Sequence, residues 1–388
     1  MGKELLLKVL RHEKTNEIPW VPFAGVHAGL LKGYSAIDVL QDADKLYESL
    51  LEVHKIYTPD GMPIIFDLQV EAEILGCDLR WAKDSPPSVI SHPLASEKKV
   101  PCLCKVPKAN NGRIPMITSV MKRIKKEIGD KTALYGLICG PLTLASHLRG
   151  SGLFMDMIRD PQYAKDLFEF CANVNIAMTD YYLDAGMDII AVVDPLVSQV
   201  SPVHFQNLLS ESFTAIFDYI KSKDAISCFF VCGNATSQLD VMCKTNPDGI
   251  SVDENVDLIK AKGVTDKYNI TIGGNIPLTT TMLFGNQQDN MKYVVDLLDN
   301  ITHDNLIISP GCDMPYSIPP ENAIAVTQAI KETDSVRKMI ENYESPETDI
   351  EVELPEYDKL TKPLVEVFTL DSTMCAACTY MLKVPMDA

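Results

Sequence analysis

Apolar positions along this chain fall into two rhythms that alternate from end to end. Helical spacing comes first: Leu5, Leu6, Val9 and Leu10 share one face of a helix over residues 2–12. Short unbroken apolar runs then recur: IPWVPFA at 18–24, GMPIIF at 61–66, ALYGLI at 133–138, MDIIAVV at 187–193, ISCFFV at 226–231, and briefer ones at 249–252, 269–272 and 306–309. Between them lie stretches with helical spacing, at 36–41, 44–57, 114–128, 142–150, 161–185, 202–223, 237–243, 286–301 and 319–342. A run that is apolar throughout belongs to a strand covered on both faces, the usual condition of a parallel sheet. Eight such strands interleaved with helices predict an α/β protein, a (β/α)8 TIM barrel with N-terminal helices. A doubly wound open sheet is the second architecture. Residues 78–111 break the rhythm; RWA, SVI and KVPCLCKVP read as short strands in a proline-punctuated excursion.

A barrel places its chemistry at the C-terminal ends of the strands. Asp67, Asp194, Cys232, Glu254, Asn275 and Cys312 all lie there. The central expectation is that Cys232, Glu254 and Cys312 meet at one mouth and hold a metal, zinc before others. Two thiolates and a carboxylate leave one coordination position open, the pattern of a catalytic rather than a structural zinc site. Each residue also has a plainer role. A lone Cys is usually a small buried apolar residue. Asp67 and Asp194 are catalytic candidates or helix caps. Asn234 and Asn275 follow glycines, so they form turns or offer amides to a substrate. His27 follows the first strand; it moves a proton at the mouth, supplies a fourth ligand, or is a surface loop histidine. Phe230 shares the inward face of its strand with Cys228 and Cys232 and is a candidate substrate contact. Cys228 lies roughly 13 Å from Cys232 along a strand and belongs to the core. The pair Cys102 and Cys104 is structural, Cys139 is a spare thiol near the mouth, and His147 and His204 serve helix packing or capping.

Bulk properties narrow the function. A formal net charge of −18 over 388 residues argues against nucleic acid, because phosphate binding needs a basic face. It suits a small-molecule enzyme, or one that docks to a partner with a basic patch. Eleven cysteines, an odd number, in a long chain without a secretory leader point to reduced thiols in the cytoplasm. Met-Gly at the start is followed by Leu6, which does not fit myristoylation. No apolar run is long enough to span a membrane.

The motifs GPLTLASHLRG, DPLVS, VCGN, ISVDENVDL, GGNIP and SPGCDMP occur in this order. Together they resemble the uroporphyrinogen decarboxylase superfamily, and within it the cobalamin-dependent methyltransferases, over roughly residues 3–340. The resemblance implies a barrel with its site at the C-terminal mouth, zinc in that site, and cobalamin carried by a separate corrinoid protein that docks over it. In true decarboxylases an arginine-rich N-terminal segment holds the substrate carboxylates. The equivalent stretch here, IPWVPFAGVHAGLLKG, has no arginine, although Asp67 matches the decarboxylase aspartate. In the methyltransferase branch the zinc motif is His-x-Cys followed much later by Cys. Cys232 and Cys312 match its thiols, and Glu254 matches the glutamate ligand of related zinc methionine synthases. The motif histidine is Phe230 here, so either Cys232, Glu254 and Cys312 alone form the ligand set or metal binding is weakened or lost.

The expected organisation is a methyltransferase barrel over 1–343, an acidic linker over 344–363, and a fragment at 364–388 whose Cys375 and Cys378 resemble the opening of a thioredoxin fold. The leading expectation is a corrinoid-dependent methyltransferase moving a methyl group between a small molecule and a partner's cobalamin. The methyl leaves an ether, alcohol or amine for Co(I), or leaves methyl-cobalamin for an acceptor thiol. The first direction is preferred, because nothing marks a sulfonate site and only Arg149 can be placed near the mouth. The rivals are a metal-free lyase built on Asp67 and Asp194, and a non-catalytic corrinoid-protein partner. A homodimer is compatible with either.

Overall fold

The computed structural model describes residues 2–345 and 357–359. The CxxC fragment and nearly all of the linker lie outside the described residues. Seven parallel strands follow one another in sequence order around a curled sheet: β1 (Gly61–Pro63), β2 (Ala133–Cys139), β3 (Ile189–Val193), β4 (Ile226–Val231), β5 (Gly249–Val252), β6 (Thr271–Ile276) and β7 (Leu306–Pro310). The segment at Trp20 supplies the eighth stave. It bridges in parallel to Ile308, and Val21 N–H donates to Ile308 O while Ile308 N–H donates to Pro19 O, each at 3.0 Å. On its other side Trp20 O accepts from Asp60 N–H at 3.0 Å, at the entry to β1. The two sheet edges are thus joined and the TIM barrel is closed, with all eight staves where the apolar runs placed them.

Helices cover the outside. Those used below are α1 (Gly2–Leu10), α2 (Ile114–Ile128), α3 (Pro141–Arg149) and α4 (Pro161–Asp184). The barrel floor is made by α1: Leu6 and Leu10, both buried, pack over Gly61 and Gly249 at the starts of β1 and β5. Above them the interior holds an aromatic layer. Phe230 packs on Phe23 with ring centres 4.8 Å apart and on Phe66 at 5.8 Å, and Phe23 meets Tyr135 at 6.0 Å.

Several boundaries differ from expectation. The helix over 202–223 is two, Pro202–Leu208 and Ser210–Ser222, and that over 319–342 is also two, Pro320–Lys331 and Thr333–Met339. The backbone leaves helical dihedrals at Leu209 and Glu332, which apolar periodicity does not register. KVPCLCKVP holds a 3-10 turn at Leu103–Lys105 rather than a strand, whereas Leu79–Arg80 and Ser88–Val89 do pair, antiparallel. Asn275 lies inside β6, paired in register with Ser309, not in the loop that GGN suggested.

Candidate functional site

Three strand ends meet at the C-terminal mouth. β4 runs directly into Cys232, β5 into Asp253 and Glu254, and β7 into Gly311 and Cys312. Both cysteines are half-buried, with Cα atoms 6.0 Å apart and their sulfurs joined as a disulfide. The expectation of reduced thiols therefore fails here, as it does at Cys102–Cys104. Five further described cysteines are free and buried. Glu254 lies against the same spot: a Cβ at Gly311 would come within 2.7 Å of its backbone nitrogen, so only glycine allows this approach. Its carboxylate, however, accepts from Leu278 N–H. Burial pushes the Glu254 carboxyl up, opposed by that N–H. Among the described residues no three His, Cys, Asp or Glu side chains converge as a metal-ligand group. Two of the three expected donors are thus together, and the third is the adjoining carboxylate, occupied by a backbone amide. The donor chemistry fits zinc once the two sulfurs are reduced, because thiolates and a carboxylate are ordinary zinc ligands. Phe230, two residues before Cys232, is committed to the aromatic layer.

The other candidates separate into distinct environments. Asp194 is fully buried at the end of β3 and caps α3 from a neighbouring strand. Its Oδ2 accepts from Leu142 N–H at 2.8 Å, and its Oδ1 from Thr143 N–H at 3.1 Å and Thr143 Oγ1 at 2.6 Å. Burial pushes its carboxyl up to about 7 despite these donors. His27 is enclosed, with Nδ1 2.9 Å from Tyr316 O and Nε2 2.7 Å from the Tyr57 hydroxyl. Burial lowers its pKa to about 4, so it is neutral near pH 7 and holds elements together. Asn275 donates to Asp253 O at 2.9 Å and Val256 O at 2.6 Å, tying β6 to the turn that carries Glu254. Asn234 is exposed and accepts from Thr236 N–H at 3.1 Å.

Asp67 anchors a second polar group that the sequence reading missed. Its Oδ1 accepts from Gln69 N–H at 2.8 Å, and its Oδ2 pairs with Arg113 Nη1 at 2.7 Å. Arg113 precedes α2, also donates from Nε to Glu73 at 2.8 Å, and lies over the Trp81 ring at 5.0 Å. Arg149, the arginine expected near the mouth, instead pairs with Asp156 and donates to the Leu94 and Ala95 carbonyls. Glu71 is buried beside this group; its Oε1 accepts from Cys139 N–H at 3.1 Å, and burial pushes its carboxyl up to about 8. Asp313 follows Cys312, with its Oδ1 enclosed and without a hydrogen bond. Burial and the charge of Asp67 push its carboxyl up. Gly25, at φ +37°, leaves that carboxylate its room, since a Cβ there would overlap Oδ1. Nothing in spacing marks Arg113 as the partner of Asp67, because only the folding-back of the long connection between β1 and α2 brings residues 67 and 113 together. Cys139 is free and fully enclosed rather than a thiol at the surface of the mouth.

Comparison with known proteins agrees with this architecture. The model of the uroporphyrinogen decarboxylase (URO-D) family matches residues 1–333. The chain is 28% identical over 336 residues to the methylcobamide:CoM methyltransferase MtbA of Methanosarcina acetivorans, covering 85% of this chain and 97% of that one. It is 25% identical over 298 residues to a uroporphyrinogen decarboxylase of Nostoc punctiforme, covering 74% and 82%. A solved methyltransferase from Methanosarcina mazei shares the fold with a TM-score of 0.78 and 23% identity, over 86% of this chain and 99% of that one.

Proposed function

Because the chain belongs to the uroporphyrinogen decarboxylase family, we propose that it is a corrinoid-dependent methyltransferase of that family's methyltransferase branch. It moves a methyl group between a small molecule and the cobamide of a partner corrinoid protein, in the cytoplasm. The observation that carries this reading is the meeting of Cys232 and Cys312 at the barrel mouth, in a chain similar along most of its length to a methylcobamide:CoM methyltransferase. Enzyme status as a methyltransferase is supported by the same relatives, and the activity they are named for favours an acceptor thiol over the ether or alcohol donor preferred from sequence.

The reduced thiols of Cys232 and Cys312, with the Glu254 carboxylate, would hold zinc. Bound there, zinc supplies a Lewis acid that keeps an acceptor sulfur deprotonated near neutral pH. The chain's own residues do the rest. Phe23, Phe66 and Phe230 close the interior beneath the mouth and exclude water from the sulfurs. Asp194 fixes the start of α3, and Asn275 fixes the turn bearing Glu254. A cobamide presented over the mouth by the partner would supply the methyl group to an acceptor sulfur held beside Cys232, Glu254 and Cys312. Asp67, held by Arg113, is positioned rather than free to exchange protons.

The aromatic packing of Phe230 at the family's histidine position favours one rival, a metal-free lyase. The test is metal content and methyl transfer in anaerobic, dithiol-reduced protein, wild type beside Cys312→Ala. About one zinc per chain, lost in the variant together with methylation of thiols by methylcobalamin, supports the reading. No zinc after reconstitution, with no methyl transfer, moves the assignment to the lyase.

A further inference from the structure

Thiol chemistry among the described residues is confined to a few positions. Cys77, Cys139, Cys171, Cys228 and Cys243 are buried, and burial pushes each thiol up, Cys77 and Cys243 to about 12. Such enclosed thiols stay protonated and unreactive. The remaining described cysteines form two pairs, one at the mouth and one far from it in sequence. Cys102 and Cys104 lie in the excursion between the short hairpin and α2, outside the barrel. Both are exposed, their Cα atoms are 5.2 Å apart, and their sulfurs are joined. A Cα separation of about 4.4–6.8 Å is the range a disulfide spans. Cys104 N–H donates to Cys102 Sγ at 3.1 Å. That contact favours a thiolate on Cys102 over one on Cys104. Between them Leu103 is 63% exposed, an apolar side chain presented to solvent beside the reactive sulfurs. Lys105, also exposed, follows directly.

We propose that Cys102 and Cys104 form a surface dithiol–disulfide centre that exchanges electrons with external dithiols. In the reducing direction, a thiolate of the external dithiol attacks Cys104 Sγ. The Cys102–Cys104 bond breaks, and its electron pair leaves on Cys102 Sγ, where the Cys104 N–H stabilises it. The second external thiolate then attacks its own partner sulfur in the mixed disulfide and releases Cys104. The external dithiol departs as a disulfide, and its two electrons and two protons reside on Cys102 and Cys104. Cys102 is the better leaving group because of its amide contact. Leu103 offers an apolar contact to a protein dithiol, which a small dithiol does not need.

The experiment uses the full chain in anaerobic buffers of graded reduced to oxidised dithiothreitol, quenched with acid and alkylated. Trypsin cleavage after Lys99 and Lys105 releases residues 100–105, which contain Cys102 and Cys104 and no other cysteine. The expected result is that this peptide passes from doubly alkylated to unalkylated in one step, with a single midpoint. In Cys102→Ser the midpoint is lost, the peptide carries one alkyl group on Cys104 across the series because the second thiol of dithiothreitol resolves any mixed disulfide, and methyl transfer is unchanged. Leu103→Ser should slow reduction by a protein dithiol roughly tenfold while leaving reduction by dithiothreitol unaltered; a protein-dithiol rate that the substitution leaves unchanged would overturn the docking role of Leu103. A wild-type peptide that stays doubly alkylated across the series, or that carries a single alkyl group, overturns the centre itself.

Discussion

Phe230 concentrates the question of this site in one side chain. Its ring is 4.8 Å from Phe23 and 5.8 Å from Phe66, so it completes the apolar layer under the sulfurs. On the proposed reading, replacing Phe230 by His would restore the histidine of the His-x-Cys motif that the chain resembles. The variant should lose roughly 1–3 kcal/mol of stability through poorer packing and a buried polar ring, and hold zinc about tenfold or more tightly through the added ligand. Urea denaturation and competition with a chelator measure the two effects separately. A loss of stability with no gain in zinc affinity would show that the ring does not reach the donors. Glu71 gives a pH prediction. Its buried carboxyl is raised from 4.5 to about 8, so the folded state holds the proton where the unfolded chain releases it. Its contribution is fully present below pH 4.5 and is lost as pH rises through about 8. Asp194, raised to about 7, acts in the same sense. The protein should melt lower at pH 8.5 than at pH 5, and Glu71→Gln should flatten that slope. A steeper slope in the variant would mean that Glu71 is charged in the fold.

Among the elements, α1 and the Trp20 stave carry the most weight for their length. Neither is a barrel helix or a full strand, yet α1 seals the floor and Trp20 joins the edges. Leu6 is buried over Gly61, and Leu6→Ala should cost roughly 2–5 kcal/mol, since a cavity at the floor cannot collapse against a closed ring. Leu5, on the same helix but only partly covered, should cost clearly less when cut to Ala. Chemical denaturation of the two variants decides this, and equal losses would show that α1 packs by general hydrophobicity rather than by its fit to the barrel. The strands show why their ends matter. β4 carries Cys228 in the core, Phe230 in the aromatic layer and Cys232 at the mouth, successive inward positions of a single strand.

For the whole molecule, charge is the property that bears on partners. The net charge of −18 favours a corrinoid protein with a basic docking face. Methyl transfer with the partner protein should fall as salt rises from about 0.05 to 0.3 M, because the Debye length shrinks to well under 10 Å. Transfer with free methylcobalamin should change little over the same range. Stopped-flow spectroscopy of the cobamide in the two reactions measures both, and parallel salt dependences would place the charge effect at the mouth rather than at a docking surface. No described helix is long and apolar enough to cross a membrane.

The apolar runs determined the eight staves and their order, because a strand buried on both faces must be apolar throughout and nothing else in this chain is. The barrel in turn determined which residues come to the mouth, since strand ends are fixed by strand position. Cys232 and Cys312 were legible for that reason alone. Other features depend on contacts between distant segments, which no local pattern encodes. Arg113 meets Asp67 across the two ends of the connection between β1 and α2, His27 is enclosed by Tyr57 and Tyr316, and Asp194 caps a helix that begins on another strand's loop. The same residue types at the same spacing could face solvent in another fold. Whether Glu254 turns to Leu278 or to the sulfurs is likewise a matter of one side-chain rotation within a finished mouth, decided by tertiary packing and not by the order of residues along the chain.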